Sequence, residues 1–438
     1  MIPERVRRRL PGRRRSGAGR APRVVIVVQN LPVPFDRRVW LEATTLTAAG
    51  YEVTCICPTG KGHDARFEVI EGVRIHRYPL PVDASGPLGF VIEFAWCFVR
   101  TSLKLGRELT TRGVDVLHVC NPPETYFPLG WLVKATGARF LFDHHDLSPE
   151  MYDAKFGLDD GHVPAPGAPD AAPERSAKLR VLRKGLEFLE RRTFRAANLV
   201  ITTNESHKRV AVERGGKDPD DVIVVRSGPD LERLQQVEPI DGWRNGKRYL
   251  VTYLGEICEQ DGVHHLVDAM VELRDRHGRD DVHCVLMGGG PHQPAIKAYS
   301  EEIGADDVCQ FTGRVSDEVL CEVLSSADVG VDPDPWTPWS DQSTMNKIME
   351  YMYFELPIAS YDLTEARVSA GEAARFAPEH TVASLADTIV ELLDDADTRE
   401  RMGKIGRRRI ETQLSWEHSA PHLLRAYERL VGPAQDGR

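Results

Sequence analysis

Long hydrophobic runs are missing from this sequence of 438 residues. A membrane-spanning helix needs about 18 apolar residues in a row, and the nearest candidate, residues 88–99, is shorter and contains Glu93. The N-terminus is basic, but no apolar stretch follows it before Val24, so we expect no secretory signal. The sequence therefore predicts a cytoplasmic protein without a transmembrane span.

Cysteine pairs of the kind that bind zinc or exchange disulfides are also missing. The eight cysteines are scattered, no C-x-x-C motif occurs, and Cys55 and Cys57 form only a C-x-C pair on a predicted strand. Most of the cysteines lie in apolar, strand-like runs. This pattern favours buried free thiols in a reducing cytoplasm over zinc or redox chemistry.

The signature loops of three large enzyme classes are absent. The loop after the first predicted strand, residues 29–38, lacks G-x-G-x-x-G, which argues against a dinucleotide dehydrogenase. Neither G-x-x-x-x-G-K-[ST] nor G-x-S-x-G occurs in the chain, so P-loop NTPases and α/β-hydrolases are poorly supported.

Charge of one sign is concentrated at the N-terminus. The whole chain has a net charge of −10, yet residues 1–23 contain nine arginines and a single acid, Glu4. That tail carries +8, so the rest of the chain carries −18. An acidic body argues against a nucleic-acid-binding core, because phosphate backbones need a basic surface.

What the sequence does have is a regular alternation of Val/Ile/Leu-rich runs with amphipathic helical stretches. Near-continuous apolar runs alternating with helices indicate parallel sheets covered on both faces. One series runs over 23–234 and a second over 248–413. The predicted strands are 23–30, 51–58, 73–79, 114–119, 139–145, 199–204 and 221–228, then 248–256, 283–290, 308–314, 328–335 and 356–362.

The sequence therefore predicts an α/β protein with two tandem Rossmann-like domains. Residues 235–247 are polar and are predicted to be the interdomain linker. Residues 1–22 are predicted to be a basic disordered tail, and 157–174, rich in Pro, Gly and Asp, a mobile surface loop of the first domain. Because tandem domains of this kind bind ligands outside the carboxyl ends of their strands, we expect the site in the cleft between them.

The most informative stretch is residues 332–362, where a predicted strand, an irregular loop and a helix follow one another. Ser343 or Thr344 starts the helix in this prediction, and the free backbone N–H groups there can hold a diphosphate. Glu350 lies roughly 10 Å further along, which suits a carboxylate that binds ribose hydroxyls. Lys347 is predicted to neutralise phosphate charge. An ordinary capped surface helix is the alternative.

Residues 343–376 resemble the donor-binding segment of the retaining GT-B glycosyltransferases of family 4. That family carries a Glu-x7-Glu motif, and the resemblance implies that Glu350, its second carboxylate, holds the ribose. Gln342 stands at the first position, a departure that concerns how the donor sugar is held. The N-K-I-M-E-Y-M sequence from Asn346 is similar to a subgroup in which many members build surface polysaccharides.

Two further segments agree with this resemblance. Residues 311–316 (FTGRVS) are similar to the loop that cradles the nucleotide base, which implicates Gly313, Arg314 and Val315, although Arg314 equally fits a solvated loop. Gly289 lies in a GGGP turn that lets backbone approach a ligand closely.

One expected feature of the family is missing. The usual phosphate-binding Arg and Lys after the first strand of the second domain are replaced by Glu256 and Gln260. The candidate substitutes are Lys347, Arg226 and Arg38.

In the first domain, residues 142–152 (FDHHDLSPEMY) follow the strand at which family members place a histidine near the reacting sugar. The resemblance implies His145 with Asp146 for this role, with His144 as the alternative. Asp146 or Glu150 is expected to orient the imidazole or to meet the acceptor. Arg38, Asn121 and Glu124 are predicted on the acceptor side, whereas His118 is predicted to be buried structure.

The resemblance implies a GT-B fold, in which two Rossmann-like domains face each other and a last helix, 414–433, packs back on the first. The implied function is retaining transfer of a hexosyl or N-acetylhexosaminyl group from a nucleotide diphosphosugar, UDP-type, to a glycan or lipid-linked acceptor in surface polysaccharide or glycoconjugate biosynthesis. No metal and no separate cofactor is expected.

The sequence also suggests reversible contact with an anionic inner leaflet. The segments that could make this contact are the basic tail, the apolar residues 88–99 and a basic helix near 175–195; simple disorder of the tail is the alternative.

Three rival functions stay open. Asp332 and Asp334 form a D-x-D after a strand, as in metal-dependent transferases, and residues 143–146 offer further cation ligands. A sugar-nucleotide epimerase or hydrolase of the same fold would yield a free or epimerised sugar and no glycosylated acceptor. Gln342 also makes a non-catalytic carbohydrate-binding protein conceivable.

Overall fold

The computed structural model describes residues 20–81, 86–156 and 177–432, which form two compact units. Unit 1 contains the described residues up to Pro149, then Arg180–Ser227 and the chain from Trp416 on; unit 2 contains the described residues of Glu150–Leu179 and Gly228–Ser415. The loop predicted over 157–174 and most of the tail predicted over 1–22 lie outside the described residues.

Unit 1 is built on an eight-stranded sheet in the order β3-β4-β2-β1-β5-β6-β7-β8, parallel except for β3 against β4. Its strands are β1 (Arg23–Val27), β2 (Glu52–Pro58), β3 (Phe67–Ile70), β4 (Val73–Tyr78), β5 (Val116–Cys120), β6 (Arg139–His144), β7 (Leu199–Thr202) and β8 (Val222–Val224). The helices in this part of the chain are α1 (Arg37–Ala48), α2 (Gly86–Thr111), α3 (Phe127–Ala135), α4 (Ser148–Lys155), α5 (Ala177–Ala196) and α6 (Glu205–Glu213).

Unit 2 is built on a six-stranded parallel sheet in the order β11-β10-β9-β12-β13-β14. Its strands are β9 (Tyr249–Leu254), β10 (Val282–Met287), β11 (Cys309–Gly313), β12 (Val329–Asp332), β13 (Ile358–Tyr361) and β14 (Ala374–Ala377). The helices are α7 (Val263–Asp275), α8 (Gln293–Glu302), α9 (Asp317–Ser326), α10 (Asn346–Tyr353), α11 (Thr364–Ala370), α12 (Val382–Asp394) and α13 (Ala396–Arg409).

The predicted fold class is confirmed, since both units are parallel α/β sheets of the Rossmann-like type. Central strands such as β5 and β10 are buried along their whole length, which explains why a single histidine in each is the one residue that interrupts their apolar sequences. The strand order reverses between β1 and β5 in unit 1 and between β9 and β12 in unit 2. Loops diverge at these two points and leave a crevice at the carboxyl ends of the strands.

The segment predicted as a linker is packed against unit 2. The Arg244 guanidinium donates to the Asp328 carboxylate over 2.5 Å, and the Ile240 N–H donates to Ser326 Oγ over 2.8 Å. Residues 235–247 are thus a fixed part of unit 2. Their polar sequence reflects these ion pairs and hydrogen bonds.

The last helix, α14 (Trp416–Val431), belongs to unit 1. The Trp416 indole N–H donates to Thr45 Oγ1 of α1 over 2.9 Å, so this residue anchors the helix. Arg20, inside the predicted tail, donates to both carboxylate oxygens of Asp115 over 2.7 and 2.9 Å. Unit 1 is therefore discontinuous in sequence, because the two segments of unit 2, Glu150–Leu179 and Gly228–Ser415, interrupt it.

Two further properties bear on the sequence-based expectations. Among the residues that the structure describes, no helix combines the length and the apolar character needed to cross a bilayer. All eight cysteines are free thiols, and seven of them are buried, the exception being the half-buried Cys258.

Candidate functional site

At the carboxyl edge of the unit 2 sheet, glycines let two loops touch. A Cβ on Gly288, where φ is +147°, would lie 1.7 Å from the Gly255 carbonyl oxygen. Glycine is required there by the neighbouring backbone. The adjacent Gly289 is different, because its nearest neighbours would be Gln293 Oε1 at 3.8 Å and Arg314 N at 4.0 Å. A Cβ at Gly289 would thus make only ordinary contacts, so the neighbouring backbone does not require glycine at this position.

The helix after β12 begins later than predicted. Met345 occupies the N-cap position without a side-chain cap, and α10 starts at Asn346. Ser343 is extended and its hydroxyl donates to the Trp339 carbonyl over 2.6 Å. The prediction that Ser343 or Thr344 starts the helix was therefore wrong, because the preceding loop takes up the serine hydroxyl.

This shorter helix changes the spacing of the predicted donor residues. Glu350 lies one turn from the start of α10, about 6 Å along the axis from Asn346. The Gln342 amide donates to the Pro338 carbonyl over 2.7 Å. The neighbouring Asp341 carboxylate accepts from the Thr364 N–H over 2.8 Å. Both side chains thus shape the loop, and Gln342 as a ligand for the donor sugar stays a prediction.

Glu350 has a partner that sequence reasoning missed. Glu350 Oε1 accepts from Arg233 Nη2 over 2.7 Å, and Arg233 Nη1 donates to Asp317 Oδ1 over the same distance. The Glu350 side chain keeps 13% of its surface exposed. An ion pair that holds one oxygen orients the carboxylate at the edge of the sheet. No motif spacing points to Arg233, which lies more than a hundred residues upstream.

Lys347 is buried in an acidic pocket. Its Nζ lies 3.1 Å from Asp332 Oδ1, contacts Asp334 Oδ2 and lies 5.2 Å from the centre of the Tyr253 ring. Burial alone would lower the pKa of Lys347, but attraction by Asp334, Tyr253 and Asp332 raises it well above its usual value. The Lys347 ammonium is therefore charged, and the carboxylates of Asp332 and Asp334 already balance its charge. The residues of the D-x-D motif act here as counter-ions of this lysine.

In unit 1, His145 follows β6 and rests on a buried carboxylate. His145 Nδ1 lies 3.0 Å from Asp143 Oδ2, and Arg38 donates to the same carboxylate through Nε at 3.0 Å and Nη2 at 2.8 Å. Burial opposes the charge on His145, yet attraction by Asp143 outweighs it and raises the pKa of the imidazole. The ring is held in one orientation and favours its protonated form.

The two histidine alternatives are separated by burial. His144 is fully buried and its Nε2 lies 3.3 Å from Glu190 Oε1, which also accepts from Arg214. The His145 side chain retains 13% exposure. His118 is fully buried, as expected, with Nδ1 2.8 Å from the Tyr427 hydroxyl. Of these three histidines, only His145 keeps an exposed edge that can reach a ligand.

Asn121 and Glu124 lie beneath the His145 turn. Asn121 Oδ1 accepts from the backbone N–H groups of His145, at 2.8 Å, and Asp146, at 3.2 Å. Asn121 Nδ2 donates to Glu124 Oε1 over 2.8 Å, and Glu124 also accepts from Ser148. Both residues are buried, at 0% and 2% exposure. They shape the turn that presents His145 and Asp146, and their place on the acceptor side stays a prediction.

The remaining predicted residues are spread over both units. Arg38 is nearly buried on α1 by its bonds to Asp143 and to Ser227 Oγ at 3.1 Å. Asn346 and Arg314 are exposed in unit 2, and Val315 is half-buried there. Glu150 is buried and falls at the start of the unit 2 segment. Sequence reasoning also missed Glu42, a buried acid that pairs with Arg38. Its position one turn after Arg38, on the apolar face of a predicted helix, could have indicated this ion pair.

Two Rossmann-like units, each with polar side chains at the carboxyl ends of its strands, are typical of the GT-B class of glycosyltransferase. Residues 36–228 match the family model described as Glycosyl transferase 4-like domain, and residues 248–395 match Glycosyl transferases group 1. Together the two matches cover most of the chain. The chain therefore belongs to the glycosyltransferases of GT-B fold.

Individual relatives agree with this class. The chain is 27% identical to 2-deoxystreptamine glucosyltransferase of Streptomyces kanamyceticus over 54% of its own length and 62% of that protein. Matches to the first curated relatives span only 39% to 62% of their lengths.

Solved structures show the same fold. Sucrose-phosphate synthase of Thermosynechococcus elongatus superposes with a TM-score of 0.71 at 18% identity, over 93% of this chain and 99% of that one. The Anabaena protein HepE, solved in complex with UDP, gives a TM-score of 0.63 at 12% identity, over 93% and 100% of the two chains.

Proposed function

We propose that this protein transfers a sugar, with retention of anomeric configuration, from a nucleotide diphosphosugar to a glycan or lipid-linked acceptor in surface polysaccharide or glycoconjugate biosynthesis. The observation that carries the proposal is Glu350, a partly exposed carboxylate on α10, oriented by Arg233 beside the β9/β12 crevice. A carboxylate so placed is a strong acceptor for the two ribose hydroxyls of a nucleotide.

The rest of the donor fits along the same edge of unit 2. The uncapped N-terminus of α10 offers unpaired backbone N–H groups to a diphosphate, with Asn346 exposed at its first position. The Gly313–Arg314–Val315 turn, with the Arg314 backbone N 4.0 Å from the Cβ position of Gly289, is the proposed contact for the nucleobase. We propose a UDP-type donor; structural neighbours of the same fold were solved with UDP and with ADP, so the donor panel has to include both bases.

His145 of unit 1 supplies a hydrogen-bond donor to the proposed reaction. Its raised pKa favours the protonated imidazole, so the ring can donate to a hydroxyl of the donor sugar or offset charge on the departing phosphate. The bond between the anomeric carbon and the diphosphate oxygen breaks, the acceptor oxygen bonds to that carbon on the same face, and the hydroxyl proton passes to the departing diphosphate, so the configuration is retained. This scheme uses neither a carboxylate nucleophile nor a metal ion.

The first test separates donor binding from turnover. We expect Glu350→Ala to weaken binding of a nucleotide diphosphosugar by about tenfold or more, since a charged hydrogen bond contributes roughly 1.5–3 kcal/mol. The matched control is Glu318→Ala, an exposed acid in the same unit. Calorimetry against a donor panel measures the affinity, and unchanged binding in the Glu350 variant would contradict the site.

The same panel tests the reaction. We expect nucleoside diphosphate release that accelerates with a lipid-linked acceptor, a product that keeps the donor's anomeric configuration by NMR, and strongly reduced turnover in His145→Ala with folding intact. Release of free or epimerised sugar without a glycosylated acceptor would instead establish a hydrolase or epimerase. An inverted product would overturn the retaining mechanism.

A surface of unit 1 supports peripheral attachment to membranes. Ile92, Trp96, Val99 and Leu103 lie three or four residues apart on α2 and are each 37% to 64% exposed. Arg100 lies over the Trp96 ring at 5.4 Å, so cations border this apolar stripe. Exposed apolar side chains flanked by basic ones fit the interface of an anionic bilayer. We propose this stripe as the membrane contact, near lipid-linked acceptors.

A further inference from the structure

We propose that unit 1 contains a structural transition-metal site, best suited to Zn²⁺, formed by Glu42 of α1, His118 and Cys120 of β5 and Asp143 of β6. One ligand atom from each of these buried residues lies within 4.8 Å of the others. Thiolate, imidazole and carboxylate are the ligands that zinc takes in proteins. Three separate elements contribute to this set, so no local sequence motif marks it.

The distances around His118 resemble those of a tetrahedral site. His118 Nε2 lies 3.7 Å from Glu42 Oε2, 3.8 Å from Cys120 Sγ and 3.9 Å from Asp143 Oδ2. Neither carboxylate distance is a hydrogen bond. Bond lengths of about 2.0 Å to N and O and about 2.3 Å to S give tetrahedral edges of roughly 3.3–3.5 Å, so small shifts would complete the site.

Glu42 provides the second, independent observation. Its side chain is fully buried, and within the described part of the chain neither carboxylate oxygen has a hydrogen-bond donor. A buried carboxylate is costly because it loses its hydration, and the ion pair with Arg38 offsets only part of that cost. Arg38 Nη2 lies 3.2 Å from Oε1, whereas Oε2 lies 3.7 Å from His118 Nε2.

The surroundings hold these ligands as metal ligands are usually held. His118 Nδ1 lies 2.8 Å from the Tyr427 hydroxyl, which leaves Nε2 directed at the cluster. Asp143 accepts from Arg38 and from His145 Nδ1. Outer hydrogen bonds of this kind fix ring orientation and raise ligand basicity.

A dication offsets most of the negative charge of the four ligands. Two carboxylates and a Cys120 thiolate carry three negative charges, the metal supplies two positive charges, and Arg38 and His145 both pair with Asp143. The thiol proton is released to solvent on binding, as metal sites require. Since four protein ligands close the coordination shell, the site is structural and leaves no open position for substrate. It would fix Asp143 and thereby the orientation of His145, and the sugar-transfer scheme still needs no catalytic metal.

Metal content of the full-length, tag-free protein is the direct test. We expect one equivalent of zinc by mass spectrometry of the metals, and a cobalt-exchanged protein with an intense thiolate-to-cobalt charge-transfer band. A strong chelator should lower the thermal midpoint. Protein that purifies without zinc and takes up neither zinc nor cobalt at micromolar concentrations overturns the proposal.

Variants locate the site. Cys120→Ser should abolish the charge-transfer band, and His118→Gln should weaken cobalt uptake at least tenfold. Cys97→Ser, a buried cysteine on α2 outside the cluster, should keep both. A band that persists in Cys120→Ser refutes the assignment. If one variant fails to fold, the metal content and the band of the unsubstituted protein still decide, independently of any glycosyl transfer.

Discussion

At the scale of single residues, burial decides which titratable groups can act and which only stabilise. His144 and His145 are adjacent, yet one is enclosed against Glu190 and the other keeps an exposed edge above Asp143. No sequence pattern separates them, because both follow the same strand and the turn after it determines which ring faces outward. That turn is fixed by Asn121, 24 residues upstream of His145.

The lowered pKa of another buried histidine, His265, leads us to expect a loss of stability in acid. His265 of α7 lies with Nδ1 3.0 Å from the Tyr361 hydroxyl, and burial lowers its pKa to about 4. The unfolded chain, with a histidine pKa of about 6.5, binds more protons between these values. Stability is therefore present above pH 6.5 and is lost as the pH falls toward 4, by up to about 3 kcal/mol.

The matched variant isolates this effect from other acid-sensitive groups. We expect His265→Gln to lose less stability than the unsubstituted protein between pH 7.5 and 5, as measured by urea unfolding of the two proteins at each pH. Equal losses in both proteins would mean that His265 does not contribute to the pH dependence.

At the scale of elements, apolar patterning predicted most strands and missed two for a physical reason. β3 is an antiparallel edge strand with Phe67 and Val69 half-exposed, and β14 is a short edge strand, so neither has a continuous apolar run. The start of α10 was misplaced because Ser343 resembles a cap by sequence, while its hydroxyl bonds to the preceding loop. Tertiary partners such as Arg233 have no sequence signal.

Strands β9 and β12 meet at the crevice through a short ladder, and Tyr351 of α10 reinforces it. The Leu254 N–H donates to the Tyr351 hydroxyl over 2.8 Å, and this hydroxyl donates to the Val331 carbonyl over 3.1 Å. We expect Tyr351→Phe to lower the free energy of unfolding by about 1–3 kcal/mol, because a buried N–H loses its acceptor.

Tyr353→Phe, on the same helix, is the control. Its hydroxyl makes one bond, to the Leu234 carbonyl over 2.7 Å, so we expect a loss of about 1 kcal/mol and unaltered donor affinity. Urea unfolding and donor calorimetry on both variants measure the difference. A Tyr351 variant as stable as Tyr353→Phe would show that the bridge between the two strands contributes nothing beyond one bond.

At the scale of the whole molecule, the distribution of charge and the exposed apolar residues of α2 both support the proposed attachment to membranes. The chain has a net charge of −10, but arginines concentrate near the N-terminus and basic residues border the exposed stripe Ile92, Trp96, Val99 and Leu103. An acidic body is repelled by an anionic bilayer except where local cations offset it. The proposed attachment through the α2 stripe therefore predicts a defined orientation of unit 1 on the bilayer.

Vesicle binding tests this attachment. We expect the protein to bind phosphatidylglycerol-containing vesicles more tightly than pure phosphatidylcholine vesicles, and the difference to shrink with salt because exposed charges are screened.

Variants test which surface makes the contact. The double variant Val99→Ser with Leu103→Ser should weaken vesicle binding about tenfold or more, because it removes apolar side chains that insert into the bilayer. Val368→Ser, a half-exposed valine of unit 2, should leave it unchanged. Removing residues 1–19, which keeps the Arg20–Asp115 ion pair, should reduce only the salt-dependent part. Equal binding to both vesicle types, or no effect of the double variant, would remove the α2 stripe as the contact.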